Sequence, residues 1–479
     1  MTSHKLLALP LALAVVLGGC GAQAPDAEVT ETEAAEAGST ELEEQGEDQE
    51  ATVTPFSLTR EDLTINETIT DDASESHAIT ADGTSDSYSN VEVVKTGNSD
   101  GDESDFYGTN AAVFATNGGT LDLSDVIVTT SGKHANAVFS YGEGSTINIK
   151  HSLIETSDNC SGGIMVTGGG TLNATDLYVH TTGNSSAAIR SDRGGGTQNV
   201  NGGTYITDGT GSPVIYSTAD VHVSKATLES TASQGVVVEG KNSVELNDVN
   251  LTASNTTKNS DKSDWYQAVM IYQSMSGDAA EGEASFTMNG GSLTNENGDI
   301  FFVNNTVASI NLSGATITND DASGNFMRLA AAGGGSEGST GGHVTLNASD
   351  QDIDGDILVD SVSELNMYLK NGSTLTGAVN PANEGAVYVE IESGSKWVLT
   401  GDSYVTSLTC DADAIDLNGH TLYVDGAAYT AGTASTGTAI TFTLRAGGMG
   451  GPGGEPPAAP PDGGHGPGDG GEPPAKPGE

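Results

Sequence analysis

Arg190 and Arg193 flank Asp192 in the middle of the chain, and such a pair could clamp the carboxylate of a sugar acid through charged, forked hydrogen bonds. Arg190 follows the apolar Ile189, so on a strand it would point outward, and a solvated strand-end charge is the plainer expectation. Asp350, Asp352 and Asp354, with Gly355, are spaced like the start of a calcium-binding loop. The twelfth position is Ser361, where a bidentate Glu is needed, and no helical pattern flanks the segment. An acidic strand edge with at most weak Ca²⁺ affinity is therefore expected there. Asp100, Asp102, Glu103 and Asp105 form a second acidic stretch, expected to be a solvated loop. Trp265 and Tyr266 sit in a polar insertion, 252–272, where aromatic rings could stack on sugar faces. The competing expectation is a loop that packs its own aromatic on the scaffold. Cys160 and Cys410 are too far apart in chain and fold to pair, and neither suggests a metal site. No catalytic constellation emerges, and no cofactor is implied beyond the weak Ca²⁺ candidates.

The elements that carry these residues follow from one repeat. The pattern is apolar, any, apolar, two turn formers, small or apolar, any, apolar. It occurs at Leu121, Leu123, Val126 and Val128, and returns at Leu172, Ala174, Leu177 and Val179. Further copies run through Val221–Leu228, Val244–Leu251, Phe286–Leu293 and Ile310–Ile317, with a weaker one at Ile147–Ile154. Corners such as Ser124-Asp125, Thr175-Asp176, Asn247-Asp248 and Asn289-Gly290 are turn chemistry. Copies begin at residues 121, 147, 172, about 198, 221 and 244, so the superperiod is 23–26 residues. A third apolar pair precedes each start, as in Ala112 and Phe114 or Ala187 and Ile189. Period-2 alternation means strands, and three short strands per superperiod predict an all-β, right-handed parallel β-helix. An antiparallel sandwich would alternate too, but without the superperiod.

The ends have different chemistry. Residues 1–19 comprise a basic start, an apolar run from Leu6 to Leu17 and two glycines, which is the layout of an export signal. Leu17-Gly18-Gly19-Cys20 resembles the lipobox of bacterial lipoproteins. That resemblance implies a diacylglycerol on the Cys20 sulfur, a lipid anchor in the cell membrane and an extracytoplasmic location. Residues 20–55 are acidic, lack Lys and Arg, and are expected to form an extended tether. The β-helix is expected over 56–430, a terminal strand or cap over 431–446, and a disordered Gly/Pro-rich tail over 447–479.

Composition limits the function. With 66 Asp+Glu against 16 Lys+Arg, the net charge of −50 argues against nucleic-acid binding. Sixty-five glycines and an abundance of Thr, Ser and Asn argue against a helical bundle.

Gly118-Gly119-Thr120-Leu121 and Gly169-Gly170-Thr171-Leu172 resemble the pectate-lyase-like β-helix superfamily, and the stretch from Gly394 to Ser403 resembles the C-terminal coils of its autotransporter passenger domains. Among its members, the chain is most similar to the pertactin-type passenger domains of autotransporter adhesins. This resemblance is architectural and covers roughly residues 60–430. It implies an adhesive surface role; enzymes of the superfamily imply polysaccharide lyase or hydrolase activity as the alternative. The paired aspartates, Gly-His-Gly and Arg-x-Lys of the hydrolases are missing, since Gly464-His465-Gly466 lies in the tail. The reading from sequence is thus a non-catalytic surface lipoprotein, monomeric, with polysaccharides or surface proteins as partners. An enzyme on acidic polysaccharides or a passive spacer are the alternatives.

Overall fold

A computed structural model describes residues 54–101, 103–256, 265–274, 279–332 and 341–442. The export signal, Cys20, nearly all of the tether and the Gly/Pro-rich tail lie outside the described residues.

The chain winds into a parallel β-helix with three walls per turn. One turn shows the rule: Val113–Thr116 lies in the first wall, Thr120–Ser124 in the second and Ile127–Thr130 in the third. Each strand pairs in parallel with its counterpart one turn on, so the first wall is an 11-stranded parallel sheet. The register is the one the repeat predicts: Leu121, Ile147, Leu172, Gln198, Val221, Val244, Phe286 and Ile310 stack in one inward ladder. No single turn can bury its own apolar face, so the stack closes the core. Gln198 is the polar rung; it is fully buried, and its Nε2 donates to the Arg190 carbonyl at 2.7 Å. Phe286, Phe301 and Phe326 stack edge to face within the core, 5.5–5.6 Å apart.

Corners between the second and third walls are where the turn formers fall. Asp125, Asp176, Lys225, Asp248 and Asp350 all take φ of 50–55° there, and Gly290 and Gly314 take 60–63°. Asx and Gly residues reach this left-handed region at least cost, which is why they recur at the corners. Asp350 is thus a corner residue of the helix. Asp352 and Asp354 are exposed on either side of the buried Ile353.

Both ends of the described chain run back along the rod. Leu58 and Leu63 cover the outward-facing Ile127 and Leu153, and the Phe56 carbonyl accepts from Thr204 Oγ1 at 2.7 Å. Of the terminal strand or cap expected here, residues 431–442 form no strand. Beyond an isolated bridge between Cys410 and Ser435, they retreat past Asn366, whose Oδ1 accepts from Ile440 N at 2.9 Å, to His343. Among the described residues no helix is long and apolar enough to cross a membrane.

Candidate functional site

The outer face of the first wall is not a solvent face. Phe114, Phe139, Met165, Arg190, Tyr216, Val237, Met270, Phe302 and Arg328 share one outward ladder. A loop leaves the rod after Ser99, forms the short helix α1 (Glu103–Tyr107), whose Phe106 is buried, and crosses the amino-terminal part of this ladder, where Ala111 packs with Phe114, Phe139 and Met165. Farther along, Trp265, Ala330 and Ala332 pack over Tyr216, Val237, Met270 and Phe302. A side chain that points away from the β-helix core here points into a second core.

This corrects the expectation for Arg190. It is 3% exposed, and its guanidinium lies 3.3 Å from Asp105 and 3.1 Å from Asp192. Asp192 is fully buried and Asp105, expected in a solvated loop, is 6% exposed. Asp100 and Glu103 are exposed as expected, and Asp102 lies outside the described residues. Arg193 lays its guanidinium 3.7 Å above the Phe106 ring. The two arginines are thus brought together, but to hold the crossing loop.

Asp105 is the centre of this cluster. It takes His134 Nδ1 at 3.0 Å on one oxygen, and Arg190 at 3.3 Å and Asn136 Nδ2 at 3.4 Å on the other. Burial works to raise its carboxyl, but the Arg190 charge and the His134 hydrogen bond hold it below its ordinary value. For His134 burial acts downward, yet Asp105 and Cys160 push the imidazole up to about 10. Ligand atoms of Asp105, His134 and Cys160 all lie within 4.8 Å of one another. Among the described residues this is the group of three that converges; Asp350, Asp352 and Asp354 are not part of it.

Sequence reasoning missed the cluster, although a signal existed. His134 and Cys160 are 26 residues apart, one full turn, and occupy the same place in successive turns with φ of 53° and 58°. Asp105 reaches them from an insertion, and no periodicity announces that. As expected, Cys160 and Cys410 are both free.

Next along the ladder, the Tyr216 and Tyr272 hydroxyls both donate to Glu239 Oε2, the latter at 2.9 Å. All three residues are buried, and burial together with the Glu239 charge raises the Tyr216 phenol well above its ordinary value.

Trp265 and Tyr266 are not at the tip of an insertion. They lie directly before the strand Gln267–Tyr272. Trp265 is half-buried, with its ring 5.6 Å from Phe302 and under the Arg328 guanidinium at 4.5 Å; it lines a pocket of about 260 Å³ with Arg328, Asp360 and Glu384. Trp265→Ala is expected to cost about 2 kcal/mol, below the range for a fully buried ring, read as a lower urea midpoint.

The second wall carries an open surface of another kind. Asn199 Nδ2 donates to Asn173 at 2.9 Å, Asn173 to Asn148 at 2.8 Å, and Asn148 to Asp122 at 2.8 Å. Asp122, Asn148 and Asn173 of this ladder line a groove of about 540 Å³ together with Ser87, Lys150 and Thr175. A further hollow of about 280 Å³, sharing Asn173 and Thr175, continues past Asn199, Asn201 and His222.

Part of the chain is similar to an adhesin. It is 32% identical over 127 residues to the autotransporter adhesin/invasin TibA of Escherichia coli O78:H11 (strain H10407 / ETEC). The matched stretch is 26% of this chain and 12% of TibA, so most of that protein has no counterpart here. The parallel solenoid fits a passenger-like fold. No family model matches the chain, and no solved structure matches it.

Proposed function

We propose that this is an adhesin-like protein of the cell surface, held by a lipid on Cys20, whose rod binds glycans along the groove of the second wall. The observation that carries the reading is the amide ladder. Asn148 and Asn173 each spend one N–H and one lone pair on their neighbours, Asn199 spends one N–H, and each keeps a further N–H and lone pair to offer. Neighbouring rungs are about 4.8 Å apart, the spacing of strands in a sheet, so donors and acceptors repeat along the groove. The ladder is ordered before any ligand arrives, so little side-chain entropy is lost on binding. TibA is named an adhesin, which supports the same reading.

The enzyme alternative is less well supported. The basic and acidic groups suited to acid–base work on a polysaccharide, Arg190, Asp192 and Asp105, are at most 6% exposed, so a polymer has no path to them. A net charge of −50 also repels uronic acid chains and favours neutral glycans.

The test is a glycan array read with cells that display the protein. Asn173→Ala and Asn199→Ala should each weaken binding roughly fivefold, about 1 kcal/mol for each lost hydrogen-bonding amide, with the melting temperature unchanged. In the same assay Cys20→Ser should shed the protein into the medium and remove binding from the cells. Binding that survives both Asn substitutions but is lost in Trp265→Ala moves the site to the Trp265 pocket; an array without hits favours the passive spacer.

A further inference from the structure

We propose that Asp105, His134 and Cys160 bind one transition-metal cation of the zinc type, which clips the crossing loop and α1 onto the rod. The three side chains offer one carboxylate oxygen, one imidazole nitrogen and one sulfur, all within 4.8 Å of one another. A mixed O, N and S donor set suits Zn²⁺ and is wrong for Ca²⁺ or Mg²⁺, which take oxygens alone. Bonds of roughly 2.0–2.3 Å to a tetrahedral ion place ligand atoms about 3.3–3.6 Å apart. Asp105 Oδ2 and His134 Nδ1 stand 3.0 Å apart and no pair exceeds 4.8 Å, so side-chain movements on the order of 1 Å reach that spacing. Cys160 is half-exposed, which leaves a way in for the ion and a place for a water as fourth ligand.

The surroundings fit a bound dication. Asp105 Oδ1 is held by Arg190 at 3.3 Å and Asn136 at 3.4 Å, the supporting hydrogen bonds expected behind a ligating carboxylate. Arg190 is balanced by Asp192 at 3.1 Å, so its charge is already met without Asp105. The remaining charges then close in both states. Without metal, the Asp105 carboxylate balances the His134 imidazolium. On binding, His134 ligates as neutral imidazole and Cys160 as thiolate, so that carboxylate and thiolate together balance the dication. The protons displaced go to solvent, and nothing is oxidised or reduced. A clip also has a task here, because Asp105 lies on an insertion while His134 and Cys160 lie on two successive turns of the rod.

The test uses the full chain, stripped with chelator and titrated with Co²⁺ and then Zn²⁺. One equivalent of Co²⁺ should bind with a thiolate-to-cobalt charge-transfer absorption. One equivalent of Zn²⁺ should displace it, and saturating Zn²⁺ should raise the melting temperature and protect Cys160 from iodoacetamide. Cys160→Ser should abolish the absorption and the protection, whereas Cys410→Ser and Cys20→Ser should keep both. Asn136→Ala should weaken binding about tenfold through the supporting hydrogen bond. The Cys160→Ser fold is secure, since Ser185 holds the equivalent place one turn on, with φ of 55°; its melt in chelator should match that of the unaltered protein. Absence of stoichiometric binding, or binding without the thiolate absorption, overturns the proposal. Rapid alkylation of Cys160 that depends on His134 and is indifferent to Zn²⁺ overturns it as well, in favour of a thiolate–imidazolium nucleophile.

Discussion

Leu246→Asp is expected to unfold the rod around the substituted turn, at a cost above about 4 kcal/mol. Leu246 is fully buried between Val223 and Met288, its in-register neighbours on the adjacent turns. A carboxylate there meets methyl and thioether groups and has no donor within the ladder. The damage also spreads, because each turn is stabilised through its interfaces with the turns on either side. Ser224→Asp, at a half-buried corner one turn away, should cost no more than about 0.5 kcal/mol. Urea unfolding of the two variants checks the register directly, and equal losses would remove the assignment of inward and outward positions.

Arg190→Met is expected to cost about 3–5 kcal/mol, although it replaces one long buried side chain by another of similar reach. The loss comes from what stays behind: Asp105 and Asp192, both buried, keep their charges and lose the guanidinium between them. The pH dependence separates this cause from lost packing. In the unaltered, metal-free protein the Asp105 carboxyl is held below its ordinary value, so it contributes stability above about pH 3.9, lost as pH falls through the lower folded value. Without Arg190 the carboxyl rises, because burial is then opposed by His134 alone among the charges around it. The difference in urea midpoint between the two proteins should therefore be large at pH 7 and shrink toward pH 4. Adding Asp192→Asn should recover part of the loss. A deficit that does not vary with pH would assign the effect to packing alone.

Much of this protein was legible as sequence. The steps of 23–26 residues, the alternation and the Asx and Gly corners determined three strands per turn, the parallel stacking and the rung-by-rung register from Leu121 to Ile310. They did so because a repeat fold is a local rule applied many times: each rung contacts the rung one period away, so sequence spacing is spatial spacing.

What the sequence left to the tertiary structure was the fate of side chains that point away from the β-helix core. Alternation reports only which residues face the prism; whether the other face meets water depends on what lies across it. The ladder from Phe114 to Arg328 is covered by insertions and strand-flanking segments, and α1, 85 residues before Arg190, turned it from an expected surface charge into a buried one. The same covering set Asp105 against His134 and Cys160, and Trp265 against Phe302 and Arg328. The straps at the two ends follow this logic, since Ile127 and Leu153 are outward residues buried only because Leu58 and Leu63 return over them. Insertions break the period, and where the period stops, only the folded chain determines which side chains meet.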